Sequence, residues 1–247
     1  MLRLYWMAIS HPSQAVRKML ELKEAEFKSV DVVPLTQRVH LRLAGFRGGT
    51  VPAIRFEDGS RAQGSRDISR ALEERWPEPA LFPAEPEQRR RVEEAERWGD
   101  ERLQPVPRRV ARFGALTNTG VRRWAAAAMP IQGAELLVRS SGPVIRYYGR
   151  TVEADGRLGD EAGVRDDLRR LPELLDHADA LLADGTLALD PPNAATLQVL
   201  SSVRTLLALA DLRELVEGHA CAQPAYELFS DYPGALPRFL PREWLPA

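Results

Sequence analysis

The sequence predicts an α/β domain followed by an all-helical domain, and three observations carry that expectation. Strand-like runs occur only before Ser65. A proline cluster, Pro77, Pro79 and Pro83, then interrupts the chain. From Glu85 onward apolar residues recur at helical spacing and no convincing strand follows. The expected division is residues 1–78, a linker over 79–84, and an all-helical domain over 85–247.

Leu2–Trp6 alternates apolar and polar residues and reads as a short strand. Pro12 sits at a helix start, where its missing N–H costs nothing. Val16, Met19, Leu20 and Leu22 follow at helical spacing, with Lys23 in the last turn. Phe27–Val33 reads as a second strand, and Pro34 to Phe46 as a partly helical connection. Pro52–Phe56 and a run around Arg61-Ala62 pair across Asp58-Gly59, a hairpin signal. Ser65 is expected to cap a helix carrying Ile68, Leu72 and Trp76, stopped by Pro77. In the second domain, Pro86 to Leu103 reads as one charged helix that Pro105 and Pro107 kink or end. Trp124–Arg139 reads as a helix interrupted by Pro130. Val164–Leu182 has a strong apolar stripe, Asn193 caps a helix through Leu209, and a short helix follows Ala222.

At 247 residues the chain has ample material for a buried core. A net charge of −1 supplies no global field towards nucleic acid or an anionic membrane. A single cysteine, Cys221, excludes an intrachain disulfide and reads as structural. Apolar runs such as Ala125–Met129 fall far short of the about 20 residues that a membrane helix needs. His40, His177 and His219 are isolated, so no metal site is expected. With no signal peptide before the first strand, a cytoplasmic protein is expected.

The most informative stretch is Gly48 to Ile68. Proline belongs at a strand's first residue or at an edge, which suits Pro52. An X-Pro bond is also where a cis peptide is cheap, and a cis bond there would turn the Val51 backbone outward. Further on, Ser65 offers a hydroxyl, and the helix its unpaired N–H groups, to an anion. Together they read as a site for a small peptide bearing a carboxylate.

Three motifs then carry a resemblance: Val51-Pro52-Ala53, Gly64-Ser65-Arg66-Asp67-Ile68, and Ser10-His11-Pro12-Ser13-Gln14-Ala15-Val16-Arg17. With the element order and the helix start at Asn193, the chain resembles the glutathione S-transferases, in a divergent, bacterial, serine-type form. The resemblance implies a thioredoxin-like first domain, an all-helical second domain, glutathione as co-substrate, a small electrophile as partner, a homodimer, and a role in detoxification. It implies Thr50, Val51, Pro52, Gln63, Gly64 and Ser65 as the glutathione-binding residues. Ser10, or failing it Ser13, would activate the thiol. Trp6, Ile9, His11, Trp98 and Arg102 would line the electrophile pocket.

Serine at both 10 and 13 excludes dithiol exchange, because a hydroxyl forms no disulfide. A free thiol has a pKa of about 8.5, so a hydroxyl hydrogen bond and a helix N-terminus would favour its thiolate. Helix capping is the competing role of either serine. His11 beside Ser10 has no third orienting acid, which argues against hydrolase chemistry. The chain departs from the family pattern at three places. Gly64 stands where many relatives have an acid, and Gln63 can substitute through its amide. Gly48-Gly49-Thr50 stands where many have Lys or Gln, and Thr196 stands in place of an aspartate. These departures favour an alternative: a non-catalytic binding or assembly module, or a protein using another thiol.

Overall fold

A computed structural model of the chain describes residues 1–33, 36–128 and 161–246. Four strands form a mixed sheet in the order β2-β1-β3-β4: β1 (Leu2–Trp6), β2 (Phe27–Asp31), β3 (Ala53–Arg55) and β4 (Arg61–Gln63). β1 is central, parallel to β2 and antiparallel to β3, and β3 pairs antiparallel with β4. Strand alternation sorts the side chains onto two faces. Leu2, Leu4 and Ile54 join the large core with α1 (His11–Leu22) and α3 (Ser65–Arg75). Tyr5 and Ala53 face the other way, into a small cluster with Leu41 of α2 (Gln37–Leu43), Val32, Phe46 and Val51.

The helices that follow are α4 (Pro86–Trp98), α5 (Pro105–Thr117), α6 (Thr119–Ala127), α7 (Glu161–Ala183), α8 (Ala194–Ala208), α9 (Arg213–Glu217) and α10 (Ala222–Leu228). No strand follows Gln63 among the described residues. Every residue of α8 is buried, and it packs along α1, so one core runs through both halves. Its start is capped by Asn193, whose side chain accepts from the Thr196 N–H at 2.9 Å. The Thr196 hydroxyl donates to the Ala188 carbonyl at 2.6 Å and lies 3.0 Å from Asn193 Oδ1.

Several local expectations are corrected. The stretch 86–103 is not one α-helix: α4 ends at Trp98 and Gly99–Leu103 is a π-helical turn. Pro105 and Pro107 lie in the first turn of α5, where a missing N–H is harmless. The second strand stops at Asp31, since Val32 turns into the small core. Gly64, not Ser65, is the N-cap of α3, and Trp76 lies just past that helix. The expected helix over 124–139 lies outside the described residues beyond 128.

The two halves are locked by a mostly buried carboxylate. Glu73 on α3 accepts from Lys23 Nζ at 2.7 Å, from the Leu81 N–H at 2.9 Å and from the Phe82 N–H at 3.2 Å. The Leu81 carbonyl in turn accepts from the Ala194 N–H at the start of α8. The Lys23 side chain is fully enclosed. Breaking a buried pair while leaving one charge costs about 3–5 kcal/mol. Glu73→Ala should therefore lower the unfolding free energy by that amount in urea titrations. Lys23→Met, which leaves Glu73 its two backbone donors, should cost less.

Candidate functional site

Register places three segments at one end of the sheet. Tyr5 pairs with Ala53, so the end of β1 lies beside the residues that precede β3. Ala53 also pairs with Gln63, which sets the end of β4 at the same edge. The Gly64 N–H donates to the Pro52 carbonyl at 3.0 Å and closes that edge. The loop 7–10, Val51-Pro52 and Gly64-Ser65 therefore converge.

The loop carrying Ser10 is held at three successive carbonyls. Met7 O accepts from the Ser10 N–H, Ala8 O from Gln14 Nε2 at 2.6 Å, and Ile9 O from the Tyr232 hydroxyl at 3.0 Å. Ser10 is the N-cap residue of α1, with φ −93° and ψ 110°, yet its hydroxyl makes no capping bond. It is partly exposed, whereas Ser13 is fully buried and its Oγ has no partner among the described residues. Of the two serines, only Ser10 keeps an accessible hydroxyl.

The Val51-Pro52 peptide is cis, and neither the N–H nor the C=O of Val51 is hydrogen-bonded among the described residues. Gln63 braces the neighbouring loop: its Oε1 accepts from the Gly48 N–H and its Nε2 donates to the Thr50 carbonyl, each at 2.9 Å. A Cβ at Gly48 would lie 2.6 Å from Gln63 Oε1, so the brace requires glycine there. Gly64 has φ +91°, a conformation that L side chains rarely adopt. Nothing lies within 4 Å of the position its Cβ would take, so the constraint there is backbone conformation and not space. Ser65 opens α3 with no hydrogen bond from its hydroxyl among the described residues. The Ile68 N–H bonds to the Gly64 carbonyl, which leaves the N–H groups of residues 65, 66 and 67 as the helix's unpaired donors.

Trp6, Ile9, Trp98 and Arg102 retain exposed surface, and His11 does not. Trp6 lies under the Arg17 guanidinium, 5.4 Å from the ring centre. Trp98 packs on His177 of α7, with ring centres 4.4 Å apart. Arg102 projects from the π-helical turn. His11 faces the start of α5, where its pKa falls from 6.5 to about 3. Burial is the main cause; Arg108 and Arg112 push the same way, against a hydrogen bond to the Gln104 backbone. Sequence reasoning missed Gln14 and Tyr232, and no signal in the sequence links Tyr232 to Ile9 across so long a separation. Cys221 is buried, and burial with Asp179 beside it pushes its thiol up, which fits a structural residue. Among the described residues no group of three His, Cys, Asp or Glu could hold a metal ion, and no helix is long and apolar enough to cross a membrane.

Residues 4–80 match the family model for the N-terminal domain of glutathione S-transferase. The match runs from β1 through α3, a little under a third of the chain. The chain as a whole has the glutathione S-transferase fold. A glutathione S-transferase from Rhodospirillum rubrum F11 superposes with a TM-score of 0.62 at 19% identity, covering 99% of this chain and 98% of that one. The β-etherase LigF from Sphingobium sp. strain SYK-6 gives 0.59 at 22%, over 93% and 99%. A glutathione S-transferase from Methylobacillus flagellatus KT, solved with glutathione bound, gives 0.58 at 18%, over 95% and 100%. No curated protein sequence matches the chain.

The buried His11 gives this glutathione S-transferase fold an acid-sensitive joint. Unfolded, the imidazole takes a proton near pH 6.5; folded, only near pH 3. Stability is therefore full above 6.5 and is lost as pH falls through that window. The slope should approach one proton, about 1.4 kcal/mol per pH unit. Unfolding measured between those limits should show this acid limb, and His11→Gln should flatten it.

Proposed function

We propose that this protein binds glutathione and activates its thiol for attack on an electrophilic carbon. The observation that carries the reading is the Ser10 hydroxyl. It is accessible, it is not used as a cap, and it sits on a pinned loop at the start of α1. The glutathione-bound relative from Methylobacillus flagellatus and the shared fold support the choice of thiol.

In this reading the γ-glutamyl carboxylate takes the unpaired N–H groups of α3 and the Ser65 hydroxyl, as an anion does at a helix N-terminus. The free N–H and C=O of Val51, beside Pro52, pair with the backbone of the cysteinyl residue. Thr50, Gln63 and Gly64 shape that wall, Gln63 through its brace. Ser10 donates to the sulfur, and the α1 N-terminus favours the negative charge. The thiol proton leaves to solvent. The sulfur then bonds to the electrophilic carbon, and the leaving group departs with the electron pair of the broken bond. Ser10 is the activating hydroxyl, since Ser13 is enclosed. The electrophile lies against the exposed surfaces of Trp6, Ile9, Trp98 and Arg102. A cytoplasmic homodimer belongs to the same reading, because members of this fold usually pair.

A charge-assisted hydrogen bond contributes about 1.5–3 kcal/mol. Ser10→Ala should raise the pKa of the bound thiol by about 1–2 units and lower kcat/KM about 10- to 100-fold, with glutathione affinity retained. Ser65→Ala should instead weaken glutathione binding by a similar free energy. Ultraviolet titration of the bound thiolate and calorimetry separate the two. An unchanged thiol pKa in Ser10→Ala removes its assigned role.

One observation favours a second reading, a binding module or an enzyme using another thiol. The Gln63 amide is engaged by Gly48 and Thr50, and Gly64 brings no side chain for the glutathione amino group. At 100 times its dissociation constant a ligand of the native state adds about 2.7 kcal/mol. Thermal denaturation with glutathione and with other low-molecular-weight thiols should single out the one that produces this gain. No gain with any thiol favours the module.

A further inference from the structure

A second cavity, of about 580 Å³, lies in the helical half, walled by the end of α8, by α9 and by α10. Cavities of this size hold small organic ligands. Arg204 of α8 is only 7% exposed and lines it. Its Nε donates to the Phe229 carbonyl at 3.0 Å. The rings of Tyr226 and Tyr232 each lie 5.1 Å from the guanidinium carbon. These contacts fix the guanidinium plane and leave the two Nη groups with no hydrogen bond among the described residues. Neither Nη is among the fully enclosed unpartnered atoms, so the fork keeps contact with the cavity.

No described carboxylate pairs with Arg204. Asp231, the acid whose field reaches it, is bonded to Arg17 at 2.7 Å. A second guanidinium, Arg213, lines the same cavity, anchored through Nε to the Leu207 carbonyl at 3.1 Å. Glu217, the carboxylate in the wall, pairs with neither arginine. Two guanidinium groups beside one cavity, one of them buried without a counter-ion among the described residues, is an arrangement that an anion relieves. Arginine's planar fork matches a carboxylate in a bidentate pair. The rest of the wall is mixed: Glu217, His219 and Gln223 stand beside Leu207, Ala222 and Ala235, and Tyr226 is 56% exposed there. A flat apolar body would cover that ring.

We propose that this cavity binds a small aromatic carboxylate, its carboxylate on Arg204 and Arg213 and its ring against Tyr226. The site is separate from the glutathione site proposed above and does not depend on it.

Isothermal titration of the full chain with benzoate, and with benzamide as its neutral isostere, tests this. Benzoate should bind saturably and about tenfold or more tighter than benzamide, as expected for a bidentate ionic pair. Arg213→Gln changes an exposed side chain and should weaken benzoate at least about threefold while leaving the thermal transition in place. Arg204→Lys keeps the charge, loses the fork, and should weaken it further. The proposal is overturned if benzoate binds no better than benzamide, or if Arg213→Gln leaves its affinity unchanged. It is equally overturned if Ser65→Ala, and not Arg213→Gln, abolishes binding, which would place the anion at the start of α3.

Discussion

The Glu73 carboxylate is the constraint on which the rest of the molecule depends. It holds Lys23 at the end of α1 and two N–H groups of the linker, and so fixes where the chain leaves the sheet domain. Leu81, held there by its N–H, accepts from Ala194 through its carbonyl. One short segment thus ties α1, α3 and α8 together. A second buried contact, Glu96 with Ser69 and Arg70, joins α3 to α4. Polar groups at these positions leave few arrangements of the two halves that satisfy every donor, which is what a buried network contributes beyond apolar packing.

That fixed relation is what makes the site a site. Ser10 alone is a serine at the start of a helix, and Ser65 alone is a serine at the start of another. The sheet register brings both to one edge, and the helical half then holds the loop through Tyr232. The same tyrosine packs on Arg204, which lines the second cavity, so one side chain stands between that cavity and the loop bearing Ser10. The large core is continuous across both halves, and the loop geometry is therefore set by residues from each end of the chain.

Much of the fold was legible because its signals are local. Pro52 before a strand, Asp58-Gly59 at a turn, and the apolar stripe of 164–182 each act within a few residues. The errors were local too, and each has a physical cause. Pro105 reads as a breaker, yet a proline in a first turn starts a helix as readily as it stops one. Ser65 reads as a cap, but the positive φ at Gly64 moves the cap one residue back. The glycines before Val51 read as missing side chains; packing shows that the Gln63 amide occupies the space a Cβ would need at Gly48, and the Arg38 side chain the space at Gly49.

The sequence by itself determined the order of the elements through α3, the two-part architecture and the residue types at the Ser10 end of the sheet, since these follow from periodicity, turn chemistry and proline placement. Only the tertiary structure decided which serine is accessible, what Gln63 does, and that Arg204 is buried without a described counter-ion. Accessibility and pairing depend on groups far apart in the chain. No local pattern encodes that Tyr232 reaches Ile9, or that Ser13 is enclosed while Ser10 stays open.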